Sequence, residues 1–239
     1  MKRFIMIMTL RYTIFILITL SSLKGQWLSF DLSKADKSTF EKQVEPTIIS
    51  AALSGGQSTL IRLTQNKRLG VAVSMYMGFD IAFSSYQSNP LLHPFMLEGQ
   101  FLVTDNLAIK GKMNLISNKG EMVNIAGYGF NYLEDSWFTS IYLGWLKGPT
   151  HLRIRYVDSA FIVKRTVAGI PVLLGLGYNN YRGSIIRFEK DDISRSIDNS
   201  ITYLIAGTEL RISALDFELQ ARINSKFFQL NFTIFRLFF

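Results

Sequence analysis

Residues 69–83 alternate between two kinds of side chain over 15 positions without a break. Alternation with a period of two predicts a β-strand with one apolar face. Globular strands usually have about 5 to 6 residues, whereas a tilted strand crosses a bilayer in about 9 to 11. The strand is therefore long enough to span a membrane. Its apolar face consists of Leu69, Val71, Val73, Met75, Met77, Phe79, Ile81 and Phe83.

Nine further segments can form strands, which makes ten in all. The predicted segments are 69–83, 95–104, 107–117, 121–133, 136–146, 150–165, 170–189, 199–213, 215–224 and 227–239. An even strand number with both ends in the periplasm places the long connections 84–94 and 190–198 outside the cell and the turns at Asp105-Asn106 and Glu134-Asp135 in the periplasm. The prediction is an all-β, closed antiparallel transmembrane barrel. Twelve strands result if 58–65 also spans and 170–189 divides near Asn179.

The first 25 residues have the features of a secretory signal peptide. Lys2, Arg3 and Arg11 precede a short apolar stretch, and Gly25 ends a plausible cleavage site. These residues hold four bases and no acid, so the net charge of +8 falls to +4 in the mature chain. A weakly basic, exported chain argues against nucleic-acid binding. We divide the chain into a signal peptide (1–25), an N-terminal segment (26–68) and a barrel (69–239).

The chain ends on an amphipathic, aromatic-rich segment, 227–239. A terminal strand that stops on an aromatic residue resembles bacterial outer-membrane β-barrels, whose assembly machinery recognises such a strand. The resemblance implies that Phe235, Leu237 and Phe239 form the assembly signal and face lipid. Phe228, Leu230, Phe232 and Ile234 have the opposite phase, so a bulge near Phe235 or unpaired final residues would be required.

The N-terminal segment contains a predicted short amphipathic helix. Phe40, Val44 and Ile48 fall on one side, Pro46 bends or divides the helix, and Gly55-Gly56 can close it. The helix either rests on the periplasmic rim or enters the lumen as a plug. The segment resembles the entry segment of fatty-acid-transporter-like barrels and of small Bacteroidetes-type barrels without an assigned activity.

In each predicted strand, one alternating set of residues faces lipid and the other faces the lumen. We assign the charged residues of both signs to the lumen, because a basic residue on the lipid face costs about 2 to 4 kcal/mol at mid-membrane. These residues either form an interior salt-bridge network or line a narrow polar path. The predicted lumen residues are Asp80, Glu98, Lys110, Lys112, Arg153, Arg155, Glu209, Arg211, Asp216, Glu218 and Arg222. Trp137 and Trp145, near the two ends of one strand, are expected at the membrane interfaces.

The sequence shows no enzyme motif, and we expect no enzymatic activity, cofactor or metal. A hydrolase would have to use one of the two histidines, His93 and His151, which are both more typical of structural positions. No cysteine is present. The leading functional prediction is a monomeric, plugged or narrow transport barrel in the outer membrane of a Gram-negative-type bacterium. Its partners would be lipid, the assembly machinery and, by the resemblance, a small hydrophobic ligand. The alternative is a structural or interaction barrel whose filled interior anchors surface loops.

Overall fold

The computed structural model describes most of the barrel and part of the segment that precedes it. The described residues are 48–49, 51–57, 59, 61, 63–80, 91–92, 95–114, 124–147, 152–185, 196–212 and 215–238. The predicted signal peptide, Phe40, Val44, Pro46, His93, His151 and Phe239 lie outside them, as does the side chain of Asp80.

Eleven strands form one antiparallel sheet, in which neighbours follow the chain order except that β1 pairs directly with β3 as well as with the short β2. They are β1 (Leu69–Asp80), β2 (Leu91–Leu92), β3 (Met96–Leu102), β4 (Leu107–Asn114), β5 (Asn124–Leu133), β6 (Trp137–Lys147), β7 (Leu152–Val167), β8 (Ile170–Ile185), β9 (Ser196–Ile212), β10 (Leu215–Ile223) and β11 (Phe227–Phe238). β2 is a two-residue strand that pairs with β1 at Met77 and Gly78.

Pairing of the first strand with the last closes the sheet into a barrel. β1 and β11 are joined in an unbroken antiparallel register from Leu69 opposite Phe238 to Asp80 opposite Phe227. With β2 excluded, ten strands make up the cylinder. The twelve-strand alternative is wrong, because β8 continues through Asn179 without a break and the described residues from Thr59 to Leu63 lie inside the barrel.

Burial alternates along the strands, so each strand has a lumen face and an outer face. On β1, Ala72, Ser74 and Tyr76 are at most 1% exposed, whereas Val71 and Val73 are each 37% exposed. The outer face is a broad apolar surface on every side of the barrel. It includes Phe101, Ile109, Met113, Phe130, Ile141, Phe161, Leu174, Leu176, Leu204 and Leu219.

The last strand corrects the prediction for the C-terminus. Phe235 is 4% exposed and packs in an interior cluster with Ile61 and Leu63, and Leu237 packs against the same cluster. The predicted lipid-facing orientation of Phe235 and Leu237 is therefore wrong. The reason is the unbroken register with β1, since a ladder without a bulge keeps Phe228, Leu230, Phe232 and Ile234 on the outer face throughout.

Connection lengths orient the barrel. At one end the described strands are joined by short turns, such as 103–106, 134–136 and 168–169, and at the other by longer connections, such as 81–95 and 186–195. Short turns are periplasmic and long loops extracellular in outer-membrane barrels. This agrees with the predicted orientation. Among the described residues, no helix is long and apolar enough to cross a membrane.

The residues before β1 pass through the barrel interior. Residues 48–49 and 51–56 are helical, and with Gln57, Thr59, Ile61 and Leu63 they are buried among inward-facing side chains. We call the described residues between 48 and 63 the inner segment. Ile48 lies against Gly183 near the extracellular end of β8, and Ile61 against Gly70 near the periplasmic end of β1. The inner segment therefore follows the lumen along its length, so the rim position that the sequence left open is wrong for its described residues.

The turn between β7 and β8 holds the one non-glycine residue with positive φ among the described residues. Ala168 has φ 50° and Gly169 has φ 81°. Two consecutive residues with positive φ form a type I′ turn, which favours Asn-Gly over Ala-Gly because Asn tolerates the left-handed conformation.

Replacing Ala168 with asparagine is expected to stabilise the barrel by about 1 kcal/mol, since it relieves the left-handed alanine. Urea unfolding in detergent micelles, followed by tryptophan fluorescence, measures the change. The control, Ala168→Val, should destabilise the barrel because a β-branched residue is disfavoured at positive φ. An Asn variant no more stable than the wild type would contradict the turn assignment.

Candidate functional site in the barrel lumen

Most of the charges predicted inside the barrel do face the lumen. Glu98, Lys110, Lys112, Glu218 and Arg222 are between 0% and 4% exposed, and Asp216 is 9% exposed. Glu209 and Arg211 lie on the inward side of β9 near the periplasmic rim. Glu209 forms an ion pair with Lys164, and Arg211 Nε lies 2.5 Å from Asp216 Oδ1. These eight side chains thus lie on the inward side of their strands, and Arg211 is the one among them that is largely exposed, at the rim.

Arg153 and Arg155 are the exceptions. Both are exposed on the outer face of β7, while Ile154 and Tyr156 are only 1% and 2% exposed in the lumen. Their predicted lumen position is wrong because they lie near the extracellular end of a 16-residue strand. The cost of a basic residue on the lipid face falls to about 0 to 1 kcal/mol near the interfaces, so the mid-membrane penalty does not apply there.

The corrected phase of β7 brings Asp158 into the lumen, where sequence reasoning missed it. Asp158 is 0% exposed and lies in the middle of its strand. A carboxylate at mid-strand was the signal that could have set the phase, because it must face inward while charges near the strand ends need not. The same correction places Lys164 on the inward side of β7, where it forms an ion pair with Glu209 on β9.

Asp158 and Arg222 form a completely buried ion pair. Arg222 Nη1 lies 3.2 Å from Asp158 Oδ2, and the side chains are 1% and 0% exposed. The carboxylate also accepts hydrogen bonds from Tyr203 Oη at 2.8 Å and from Asn179 Nδ2 at 2.8 Å. The Tyr203 ring lies 4.5 Å from the guanidinium carbon of Arg222. These contacts join β7, β8, β9 and β10 and compensate the two charges away from water.

Two buried cations hold the carbonyl groups at the end of the inner helix. Arg222 Nη1 donates to Leu53 O at 3.1 Å, and Lys112 Nζ donates to Ser54 O at 3.2 Å and to Gln57 O at 2.6 Å. The last carbonyls of a helix lack partners within the helix and carry its partial negative charge. Lys112 and Arg222, from strands on different sides of the barrel, therefore bind the inner segment at the point where its helix ends.

Further side-chain contacts surround the same helical end. Asn179 Nδ2 donates to Ala52 O at 3.2 Å, and Gln229 donates to the Ser54 hydroxyl. Lys112 also lies over the rings of Tyr142 and Tyr76, 5.0 and 5.4 Å from their centroids. Cation–π contact replaces part of the hydration that the ammonium group loses on burial.

Glycines let the inner segment approach the barrel wall closely. A Cβ on Gly56 would lie 2.5 Å from the Cβ of Asp158, and a Cβ on Gly183 would lie 2.6 Å from Ile48 Cδ1. Neither position has room for a side chain without displacing the inner segment. The Gly55-Gly56 pair, which forms the last two residues of the helix, thus brings the end of the helix against the buried ion pair.

The lumen has two unlike walls. The inward residues of β6 to β9 are mainly aromatic and aliphatic, and they include Tyr142, Leu146, Ile154, Tyr156, Ile162, Leu173, Tyr181, Ile201, Tyr203 and Ile205. The inward residues of β10, β11, β1, β3, β4 and β5 are mainly polar. We call this set the polar wall: Glu218, Gln220, Arg222, Gln229, Asn231, Thr233, Ser74, Glu98, Gln100, Lys110, Lys112 and Asn131.

Several polar groups beside this wall have no hydrogen-bond partner among the described residues. Both amide atoms of Gln57, Gln100 and Asn131 are unpaired in this sense, and so are Glu98 Oε1 and Asn231 Oδ1. A buried polar group without a partner costs about 1 to 3 kcal/mol. Such groups are normally satisfied by water or by a bound solute. The wall is therefore suited to small polar molecules.

The two predicted interface tryptophans lie on the outer face at opposite ends of β6. Trp145 is 38% exposed, and Trp137 stacks on Tyr132 with ring centroids 5.7 Å apart. Both positions fit the amphipathic indole ring. No cluster of three or more His, Cys, Asp or Glu side chains that could hold a metal occurs within the described part of the chain.

Comparison with known proteins returns distant barrels. No family model and no curated protein matches the chain. Solved structures that match include Ail, the attachment invasion locus protein of Yersinia pestis, with 9% identity, a TM-score of 0.29, and coverage of 72% of this chain and 95% of Ail. The N-terminal barrel domain of Pseudomonas aeruginosa OprF has 10% identity, a TM-score of 0.28, and coverage of 71% and 97%. An outer-membrane channel from Pseudomonas putida F1 has 11% identity, a TM-score of 0.39, and coverage of 77% and 98%.

The architecture itself assigns the cellular location. A closed antiparallel cylinder with an apolar outer band and a polar, charged interior satisfies its backbone hydrogen bonds within the bilayer and exposes apolar side chains to lipid. The protein is an integral β-barrel of the bacterial outer membrane.

Arg222→Met is expected to lower the free energy of unfolding by about 3 to 5 kcal/mol, because it leaves Asp158 as an unpaired buried charge. Urea unfolding in micelles provides the measurement. The matched control is Arg211→Met, whose ion pair with Asp216 has a guanidinium side chain 64% exposed. It should cost less than about 1 kcal/mol. Equal losses in the two variants would contradict the cost expected from leaving the Asp158 carboxylate buried without its partner.

Proposed function

We propose that the protein is a plugged transport barrel that passes a small polar solute along the polar wall, with the inner segment as the plug. The observation that carries the proposal is the set of unpaired polar groups beside this wall. They extend from Asn231, opposite Tyr76, to Gln100 and Asn131 near the periplasmic end. An interior that served only for packing would gain stability from apolar residues there.

The contacts that hold the inner segment support movement of the plug. Lys112, Arg222, Asn179 and Gln229 bind it through backbone carbonyls and one hydroxyl group. Water can replace these hydrogen bonds when the segment shifts, at a lower cost than the exposure of an equally large apolar contact. Ser54, Gln57 and Thr59 are the polar residues of the segment that the structure describes, and Thr59 donates to Glu98 on the polar wall at 3.0 Å.

The chemistry of the wall favours a polar solute over the hydrophobic ligand that the sequence resemblance implied. Glu98, Gln100, Gln220, Gln229 and Asn231 are all at most 1% exposed and present amide or carboxylate groups. These groups bind hydroxyl, amino or amide substituents and give a hydrocarbon chain nothing to compensate their desolvation. Sugars and amino acids are suitable test solutes.

A second function, a structural barrel that anchors surface loops, has one observation in its favour. Ile48, Ile49, Ala51, Ala52 and Leu53 are at most 2% exposed and pack with the aromatic and aliphatic inward residues of β6 to β9. These apolar residues fill the part of the lumen towards the extracellular end. The two functions differ in whether the inner segment has to leave its place.

A disulfide that ties the inner segment to the wall separates the two functions. The chain has no cysteine, so Ile48→Cys with Gly183→Cys introduces a single defined pair. A Cβ on residue 183 would lie 3.2 Å from both Cγ atoms of Ile48, which brings the two positions close to the range of a disulfide. Liposomes containing the reduced double variant should take up labelled sugars or amino acids, and the oxidised variant should not.

The control for this experiment is the Ile48→Cys single variant, which should give equal uptake under oxidising and reducing conditions. Equal uptake by the oxidised and reduced double variant would contradict a moving plug. An absence of uptake in every form, including the wild type, would favour the structural barrel.

A further inference from the structure

The outer face of the barrel carries a cluster of basic residues at its extracellular end. Lys147 on β6, Arg153 and Arg155 on β7 and Arg182 on β8 are all exposed and share the outer phase of their strands. We call these four residues the basic rim patch. They lie at the end of the barrel that carries the longer connections, which is the cell-surface end.

The sheet register brings like charges face to face in this patch. Lys147 is directly opposite Arg153, and Arg155 is directly opposite Arg182. Like charges in directly opposed positions destabilise a sheet. Arg182 is compensated by Asp198 on β9, with Nε 2.6 Å from Oδ1. Within the described residues, no ion pair compensates Lys147, Arg153 or Arg155, so the patch has an excess of positive charge.

An amphipathic groove lies beside the patch, on its membrane side. Tyr128, Leu143, Trp145, Val157 and Asn180 line it together with the basic residues, and its volume is about 790 Å³. Leu143, Val157 and Tyr128 are between 36% and 56% exposed on the lipid-facing surface. Cations thus lie at the outer end of the groove, Trp145 lies beside them, and aliphatic side chains follow towards the middle of the membrane.

We propose that this groove binds a phosphorylated glycolipid of the outer leaflet, with the phosphate on Arg153, Arg155 and Lys147. A guanidinium group binds a phosphate through two parallel N–H···O hydrogen bonds, which give the contact both strength and a defined orientation. Trp145 is placed to pack against a sugar ring, and Leu143 and Val157 against the first carbons of the acyl chains. A free phosphate ion would use the cations alone and would leave the groove empty.

The test uses the mature protein in phosphatidylethanolamine nanodiscs that contain diphosphoryl lipid A. Native mass spectrometry measures how much lipid A remains bound. The variant Arg153→Gln/Arg155→Gln should weaken retention roughly tenfold or more, because two cations near a phosphate are removed. The matched control is Arg165→Gln/Arg236→Gln, which removes two exposed outer-face arginines near the periplasmic end. It should retain lipid A like the wild type.

Two further arms identify the ligand and check the fold. Lipid A without its phosphates should be retained as weakly by the wild type as diphosphoryl lipid A is by the variant. Millimolar inorganic phosphate should leave the bound lipid in place. Equal retention by both double variants, equal retention of the dephosphorylated lipid, or full displacement by inorganic phosphate would each overturn the proposal. The thermal unfolding midpoint should agree between the two double variants, so that a loss of retention reports binding and not misfolding.

Discussion

Closure of the sheet by β1 and β11 is the constraint on which the other features depend. The unbroken register of this pair determines, for each residue of the two strands, whether it faces the lumen or the lipid. The pairing of the remaining strands extends this assignment around the cylinder. A cylinder of about eight strands is filled by its own side chains. With ten strands the interior is wider, and the chain fills it with its own inner segment.

Enclosing a chain segment creates a demand for hydrogen bonds, and the lumen charges meet it. The end of a helix presents carbonyl groups without partners, and water cannot reach them freely inside the barrel. Lys112 and Arg222 donate to these carbonyls, and Asp158 compensates Arg222. Lys112, Arg222 and Asp158 therefore act together as a binding site for the inner segment. Other residues of the polar wall, such as Gln100 and Asn131, have side-chain amides without a partner among the described residues.

The sequence predicted the strand number, the strand positions and most of the lumen residues, because hydrophobic alternation is strong in long membrane strands. It failed where alternation was ambiguous. On β7 both alternating sets of residues contain apolar and charged side chains. Which set faces the lumen follows from Asp158, because it lies at mid-membrane, whereas Arg153 lies near the membrane surface and can face either way. Near the end of β11 both alternating sets of residues are apolar. Only the pairing with β1 determines that Phe235 faces the lumen and not the lipid.

The inner segment occupies the closed lumen. Hydrogen–deuterium exchange of the protein in nanodiscs, read at the amides of residues 48–57, tests this position most directly. The structure predicts exchange that is slow and comparable to that of the barrel strands, because the described residues of this range are buried and their helix is held by Lys112 and Arg222. Exchange as fast as that of an unstructured peptide would contradict the claim.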